Sequence, residues 1–172
     1  MIRILGMVLI MTSSTLAGLY YANIQMFRIK DLKEIKKALI ILLSEIEYTL
    51  TPLPQAMENI SKRIDDPIDK IFLDFCNTLN DKTGQGIGEI WQDVLDDNKD
   101  YYYFSEEDLD YLKSFGKTLG YLDKNLQINS ISITIKYIED KIEELNVTSL
   151  RNKKLYQTLG ILGGLLICIV LI

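Results

Sequence analysis

"INSISITIKYIEDKIEEL", residues 128–145, decides between a mixed and an all-helical fold. Its opening, "SISITIK" (130–136), alternates apolar and polar residues as a half-buried strand does. Over the longer window Ile128, Ile131, Ile135, Ile138, Ile142 and Leu145 step by three and four, which gathers them on one helical face, and the two-residue period ends after Ile135. A long helix is therefore expected, with Glu139, Asp140, Lys141, Glu143 and Glu144 on its solvent side.

Upstream, the same period recurs in shorter pieces. Leu32, Ile35, Leu39, Leu42 and Ile46 form one stripe, which "TPLP" (51–54) must end because Pro52 and Pro54 have no N–H to donate. Met57, Ile60 and Ile64 mark a short helix, and Pro67 is placed to open another carrying Ile68, Ile71, Phe72, Phe75 and Leu79. Ile90, Trp91, Val94 and Leu95 follow, with Trp91 as a large core plug. Ser105 with Asp108 caps a further helix bearing Leu109, Leu112, Phe115 and Leu119, which is expected to stop near Gly120. The expectation is an all-α bundle of about six helices with no convincing strand.

Two loops invite chemistry and lack its full signature. "DKTGQGIG" (81–88) is glycine-rich, yet it lacks the Lys-Ser/Thr of a P-loop and the spacing of a dinucleotide fingerprint, so it reads as a turn. Asp96, Asn98, Asp100 and Glu107 match positions 1, 3, 5 and 12 of a calcium loop, but position 6 is Tyr101 where the sharp turn needs glycine. Histidine is absent, which removes the commonest general base and metal ligand. Glu45 and Glu47, two residues apart on a helix, point in different directions and cannot share a substrate. Neither cofactor nor metal is expected, and the chain reads as a non-enzyme. Cys76 and Cys168 lie in apolar helical runs and read as inert thiols.

The ends of the chain pose a different question. "LGILGGLLICIVLI" (159–172) is uncharged, and the uncharged stretch reaches back to Leu155, giving 18 residues beside Arg151, Lys153 and Lys154. As a helix it spans roughly 27 Å, against a hydrocarbon core of about 30 Å. A buried core helix is the rival reading. Residues 4–27 are also uncharged, 24 in a row, with a cleaved secretory signal ending after Ala17 as the rival. Eight basic residues flank the two runs on their inner sides, Arg28, Lys30, Lys33, Lys36, Lys37, Arg151, Lys153 and Lys154, against Arg3 alone outside. The positive-inside rule then makes 1–27 and 155–172 transmembrane helices and 28–154 a cytoplasmic helical domain. That domain carries 18 Lys+Arg and 24 Asp+Glu, a net −6 that disfavours nucleic acid as a partner. Its acidic runs at Glu106–Asp110 and Glu139–Glu144 read as solvated faces. Gly160 and Gly164, with Gly163 between them, and Ser14 and Gly18 are small residues at spacings that let helices approach closely in lipid, within the molecule or between copies as a homo-oligomer.

"SEIEYTLTPLPQAMENIS" (44–61), "FGKTLGYLDKNLQ" (115–127) and "LYQTLGILGGLLICIVLI" (155–172) together resemble the stage III sporulation protein AB family of endospore-forming bacteria, end to end in order and spacing. The chain departs from the family pattern after Gln127, where Ile128 to Ile135 is apolar rather than charged. The resemblance implies an inner-membrane scaffold of the complex joining mother cell and forespore, placed in the mother-cell membrane with its soluble domain facing the cytoplasm. The family also resembles the helical domain of the F-type platform protein of type II secretion machines, which implies docking of a secretion-type ATPase, stage III sporulation protein AA. Candidate interaction residues are Glu45, Glu47, Tyr48, Pro52, Leu53 and Asp123. Glu47 and Tyr48 face a partner in one reading; in the other, Glu45 pairs with a lysine one turn away. A contrasting reading makes the chain an exported, tail-anchored helical binding module whose signal peptide has been cleaved.

Overall fold

The computed structural model describes residues 2–49, 51–81, 84–120 and 123–171. Among them are six α-helices and no strand: α1 (Ile2–Ser44), α2 (Leu53–Ser61), α3 (Ile68–Asn80), α4 (Ile87–Asp97), α5 (Glu106–Gly116) and α6 (Lys124–Leu171). The 130–136 stretch is helical throughout. A five-residue π-turn, Glu45–Thr49, closes α1 just before the prolines.

The chain forms two compact units, Lys30–Ile142 and a second made of Met1–Ile29 with Glu143–Ile172. In the first, α2 packs on α3, α3 on α4 and α4 on α5. Most of the apolar stripes deduced from spacing are buried, Leu32, Ile35, Leu39 and Leu42 of α1, Met57 and Ile60 of α2, Ile71, Phe72 and Phe75 of α3, and Ile131 and Ile138 of α6, while Ile46, Leu79, Ile128, Ile135 and Ile142 are only half-buried. Trp91 is at the centre, fully buried. Phe72, Phe75 and Phe115 meet its ring edge-on at centroid distances of 5.6, 5.1 and 5.8 Å, an arrangement favoured by the ring quadrupoles. Its Nε1–H donates to the Leu112 carbonyl at 2.8 Å, so the burial leaves no polar cost on the indole.

Local chemistry sets the ends of the short helices. Ser105 Oγ accepts from the Asp108 amide at 3.3 Å while the Asp108 carboxylate accepts from the Ser105 amide at 2.9 Å, a reciprocal cap at the start of α5. Asp108 also takes the Tyr137 hydroxyl at 3.1 Å and is buried, so the acidic run Glu106–Asp110 is not a wholly solvated face. Helix α5 ends at Gly116 rather than near Gly120. Tight turns replace it there, with the Thr118 amide on the Phe115 carbonyl and the Leu119 amide on that of Gly116, and Gly120 completes them at φ +82°, a left-handed value that favours glycine.

The calcium-loop residues are turned to other work. Asp96 Oδ1 takes the Lys113 ammonium at 2.6 Å, and the Asn98 amide, buried, donates to Asp74 and to the Val94 carbonyl. The glycine-rich loop is a turn into α4, with Gly86 as its N-cap and Gly84 at φ +80°; Lys82 and Thr83 lie outside the described residues.

In the second unit, the early part of α1 accompanies the late part of α6. A Cβ added to Gly163 would lie 3.9 Å from Ser14 Oγ, which brings together two of the small residues deduced from the sequence. Among the described residues no helix is long and apolar enough to cross a membrane. Most side chains of residues 1–11 and 149–172, those at Gly160 and Gly164 included, lie outside the described set.

Candidate interaction surface

The candidate residues around the proline break form a built corner. Glu45 is buried, and its carboxylate is not paired with a lysine one turn away. Instead Thr51 Oγ1 donates to its Oε2 at 2.6 Å, Thr49 Oγ1 to the same oxygen at 2.8 Å, and the Asn59 amide of α2 reaches Oε1 at 3.4 Å. These donors, Thr51 foremost, hold the Glu45 carboxyl below its ordinary value, with Arg63 adding a smaller favourable field. The network ties the π-turn to α2 across the prolines, and a π-turn is a wide, uncommon geometry that recurs at functional positions.

The other candidates surround this anchor. Glu47 and Tyr48 point outward, Tyr48 with 77% of its surface exposed. Pro52 is exposed and its carbonyl starts α2 by accepting the Ala56 amide at 3.0 Å, while Leu53, half-buried, is the first residue of that helix. Asp123 caps α6, its Oδ1 accepting from the Asn125 amide at 2.8 Å and the Leu126 amide at 3.4 Å. The next residue makes the connection that the sequence did not reveal: Lys124 Nζ donates to the Glu47 carbonyl at 2.7 Å, clamping the start of α6 to the π-turn. Glu45, Glu47, Tyr48 and Asp123 thus belong to one region.

A groove of about 310 Å³ opens between α5 and the first turns of α6, lined by Tyr111, Phe115, Leu126 and Ile133 among others. Thr118 and Ser130 hydroxyls meet at 2.8 Å on its floor, and Tyr111 stacks on Tyr137 at 3.6 Å with the rings 10° apart. Leu126 and Ile133 are exposed. The signal for this groove was the apolar stretch after Gln127, which exceeds what burial on one helical face requires.

Glu45 gives this corner a pH dependence with a definite sign. A carboxylate whose folded pKa lies below its ordinary 4.5 stabilises the fold above that value, and the contribution is lost as the pH falls through the lower folded value. Asp31, buried with its carboxylate on the Tyr103 amide, has its pKa raised by desolvation and acts oppositely, its contribution falling away as pH rises past 3.8. Melting of the full chain in detergent between about pH 7 and about pH 3 is therefore expected to show a gap between the native protein and Glu45→Gln that closes on acidification. A gap independent of pH would contradict the assignment.

The chain is thus all-α among the described residues, a first and a last long helix flanking four short ones in sequence, with a capped corner and an apolar groove on its surface. The chain belongs to the stage III sporulation protein AB family, whose profile matches residues 3–172. It is 30% identical over 171 residues to stage III sporulation protein AB of Bacillus subtilis (strain 168), covering 99% of each chain. A solved structure of a stage III sporulation protein AB superposes with a TM-score of 0.67 at 26% identity, covering 72% of this chain and 97% of that one.

Proposed function

We propose that this chain is a membrane-anchored, non-enzymatic platform of the sporulation stage III complex, and that its Tyr48 corner docks a secretion-type ATPase, stage III sporulation protein AA. The observation that carries the docking surface is the contrast at residues 45–48: a buried, three-donor anchor at Glu45 holds a neighbouring tyrosine out into solvent. Holding an exposed aromatic on a rigid turn cuts the entropy cost of binding, which is why Tyr recurs among the residues that dominate interfaces.

Anchoring by residues 1–27 and 155–172 is supported by the two uncharged runs and their basic inner flanks. It is supported also by the second unit's outward apolar side chains, among them Leu9, Leu16, Leu162, Leu165 and Ile167. The positive inner flanks support a helical domain on the cytoplasmic side, and the family resemblance supports the mother cell as its compartment.

Co-purification of the ATPase with the full-length protein from detergent extracts tests the docking. Tyr48→Ala is expected to reduce recovery at least about tenfold, the effect of losing roughly 1.4 kcal/mol at an interface, while the melting temperature stays unchanged because the side chain is exposed. Undiminished recovery with Tyr48→Ala and with Glu47→Lys would remove the corner from the interface.

A further inference from the structure

The groove between α5 and the start of α6 carries a two-fold pattern. Two rungs set the register of its walls, the Thr118–Ser130 hydroxyl contact and the Tyr111–Tyr137 stack. The walls run antiparallel, and the rungs place Ser114 of α5 level with Ile133 and Thr134 of α6. At that level the surface is small on one wall, where Ser114 is exposed, and apolar on the other, where 58% of Ile133 is uncovered. The core of the domain takes Ile131 and Ile138 from the same helix and leaves Ile133 outside.

The charges of this face sort themselves around Ser114. Glu107 pairs with Lys141 at 2.9 Å and Lys136 with Asp140 at 2.7 Å, while Lys124 is held by the Glu47 carbonyl. Asp110 and Lys117 are exposed and join no ion pair among the described residues. They lie four residues before and three after Ser114, on the same side of α5, because Lys117 still has helical backbone and positions seven apart nearly coincide in direction. At about 10 Å apart along the helix they cannot pair with each other. Opposite charges set almost equally to either side of a small and apolar centre make a face that is its own complement: a second copy, turned antiparallel, answers each charge with the other. We infer that this face is a two-fold contact between two copies of the chain. Helix α5 crosses its counterpart at Ser114, Ile133 covers the partner's Ile133, and Asp110 pairs twice over with the partner's Lys117. Serine at the crossing lets the helix axes approach to about 8 Å. The buried apolar side chains supply the affinity, and the rim charges fix the antiparallel orientation. The inference is independent of the Tyr48 corner.

Disulfide trapping in the full-length protein tests it, in detergent with copper-phenanthroline as oxidant. Cys168 is replaced by serine in every variant, and the buried Cys76 is kept. A residue beside a two-fold axis meets its own copy, so Ser114→Cys is expected to give a disulfide-linked dimer, as Cα atoms about 4.4–6.8 Å apart allow. Asp97→Cys, exposed at the end of α4, is the collisional control. Added to Ser114→Cys, Asp110→Lys or Lys117→Asp turns both rim pairs into like-charge contacts and is expected to slow trapping about tenfold. The double reversal restores the pairs with their signs exchanged and is expected to bring the rate back to within about twofold of Ser114→Cys alone. Trapping at Ser114 no faster than at Asp97 would overturn the inference, even if copies associate through the terminal segments. A double reversal as slow as the single ones would overturn it as well.

Discussion

Trp91→Ala is expected to cost about 3–5 kcal/mol of unfolding free energy, the range for emptying a large aromatic site in a packed core. The size follows from what the indole does. It is fully buried, three phenyl rings from α3 and α5 meet it edge-on, and its N–H is tied to the Leu112 carbonyl. No neighbour is free to collapse into the space, because Phe72 and Phe75 are themselves fully buried on α3. For a domain near 100 residues the loss lowers the melting temperature by about 12 °C or more, readable by far-ultraviolet circular dichroism in detergent. Trp91→Phe keeps most of the buried ring and removes the hydrogen bond to Leu112, and is expected to cost only about 1–2 kcal/mol. Equal effects of the two substitutions would mean that the ring packing is not what stabilises the domain.

Gly116→Val is expected to destabilise by about 1–3 kcal/mol, the usual cost of overpacking a filled core. Two effects compete there. In an open helix, replacing glycine gains up to about 1 kcal/mol of helix propensity. At Gly116 a Cβ would overlap Trp91 Cδ1 outright and approach Cγ to 2.7 Å and Nε1 to 3.0 Å. The indole cannot withdraw, held as it is by its hydrogen bond and by Phe115, so steric overlap wins. Gly116→Ala should already lose stability, and the loss should shrink by about 1 kcal/mol in a Trp91→Leu background, the coupling expected of residues in contact. A Gly116→Ala protein more stable than the native one would show that the ring has room to move.

The parts of this fold that could be read from the sequence are those decided within a few residues. The three-and-four stripe of 128–145, the break at Pro52 and Pro54, the Ser105–Asp108 cap and the Trp91 plug all follow from local periodicity or local hydrogen bonding. What escaped depends on partners far along the chain. Glu45 suggested a nearby lysine because helical neighbours three and four apart are the usual partners of a charge; the π-turn instead swings its carboxylate toward Thr51 and, fourteen positions on, Asn59. Asp108 looked like one of several solvent-facing acids until Tyr137 of α6 closed over it. The Lys124 clamp on Glu47 spans 77 positions and the Asp31 bond to Tyr103 spans 72, and neither leaves any trace in composition or period. The corner residues entered as candidates through a family resemblance, and the groove was not foreseen, its trace in the sequence being the apolar run after Gln127.

The central claim is that a helical domain faces the cytoplasm between two membrane helices. It is tested most directly by protease treatment of spheroplasts, scored with an antibody against residues 28–154 and with the mass of the intact chain. The account predicts a protected domain on a chain of full length. A digested domain on a chain shortened by about 17 residues, the length removed by a signal-peptide cut after Ala17, would contradict it. The helical unit would then be an exported module, beyond the reach of any cytoplasmic ATPase.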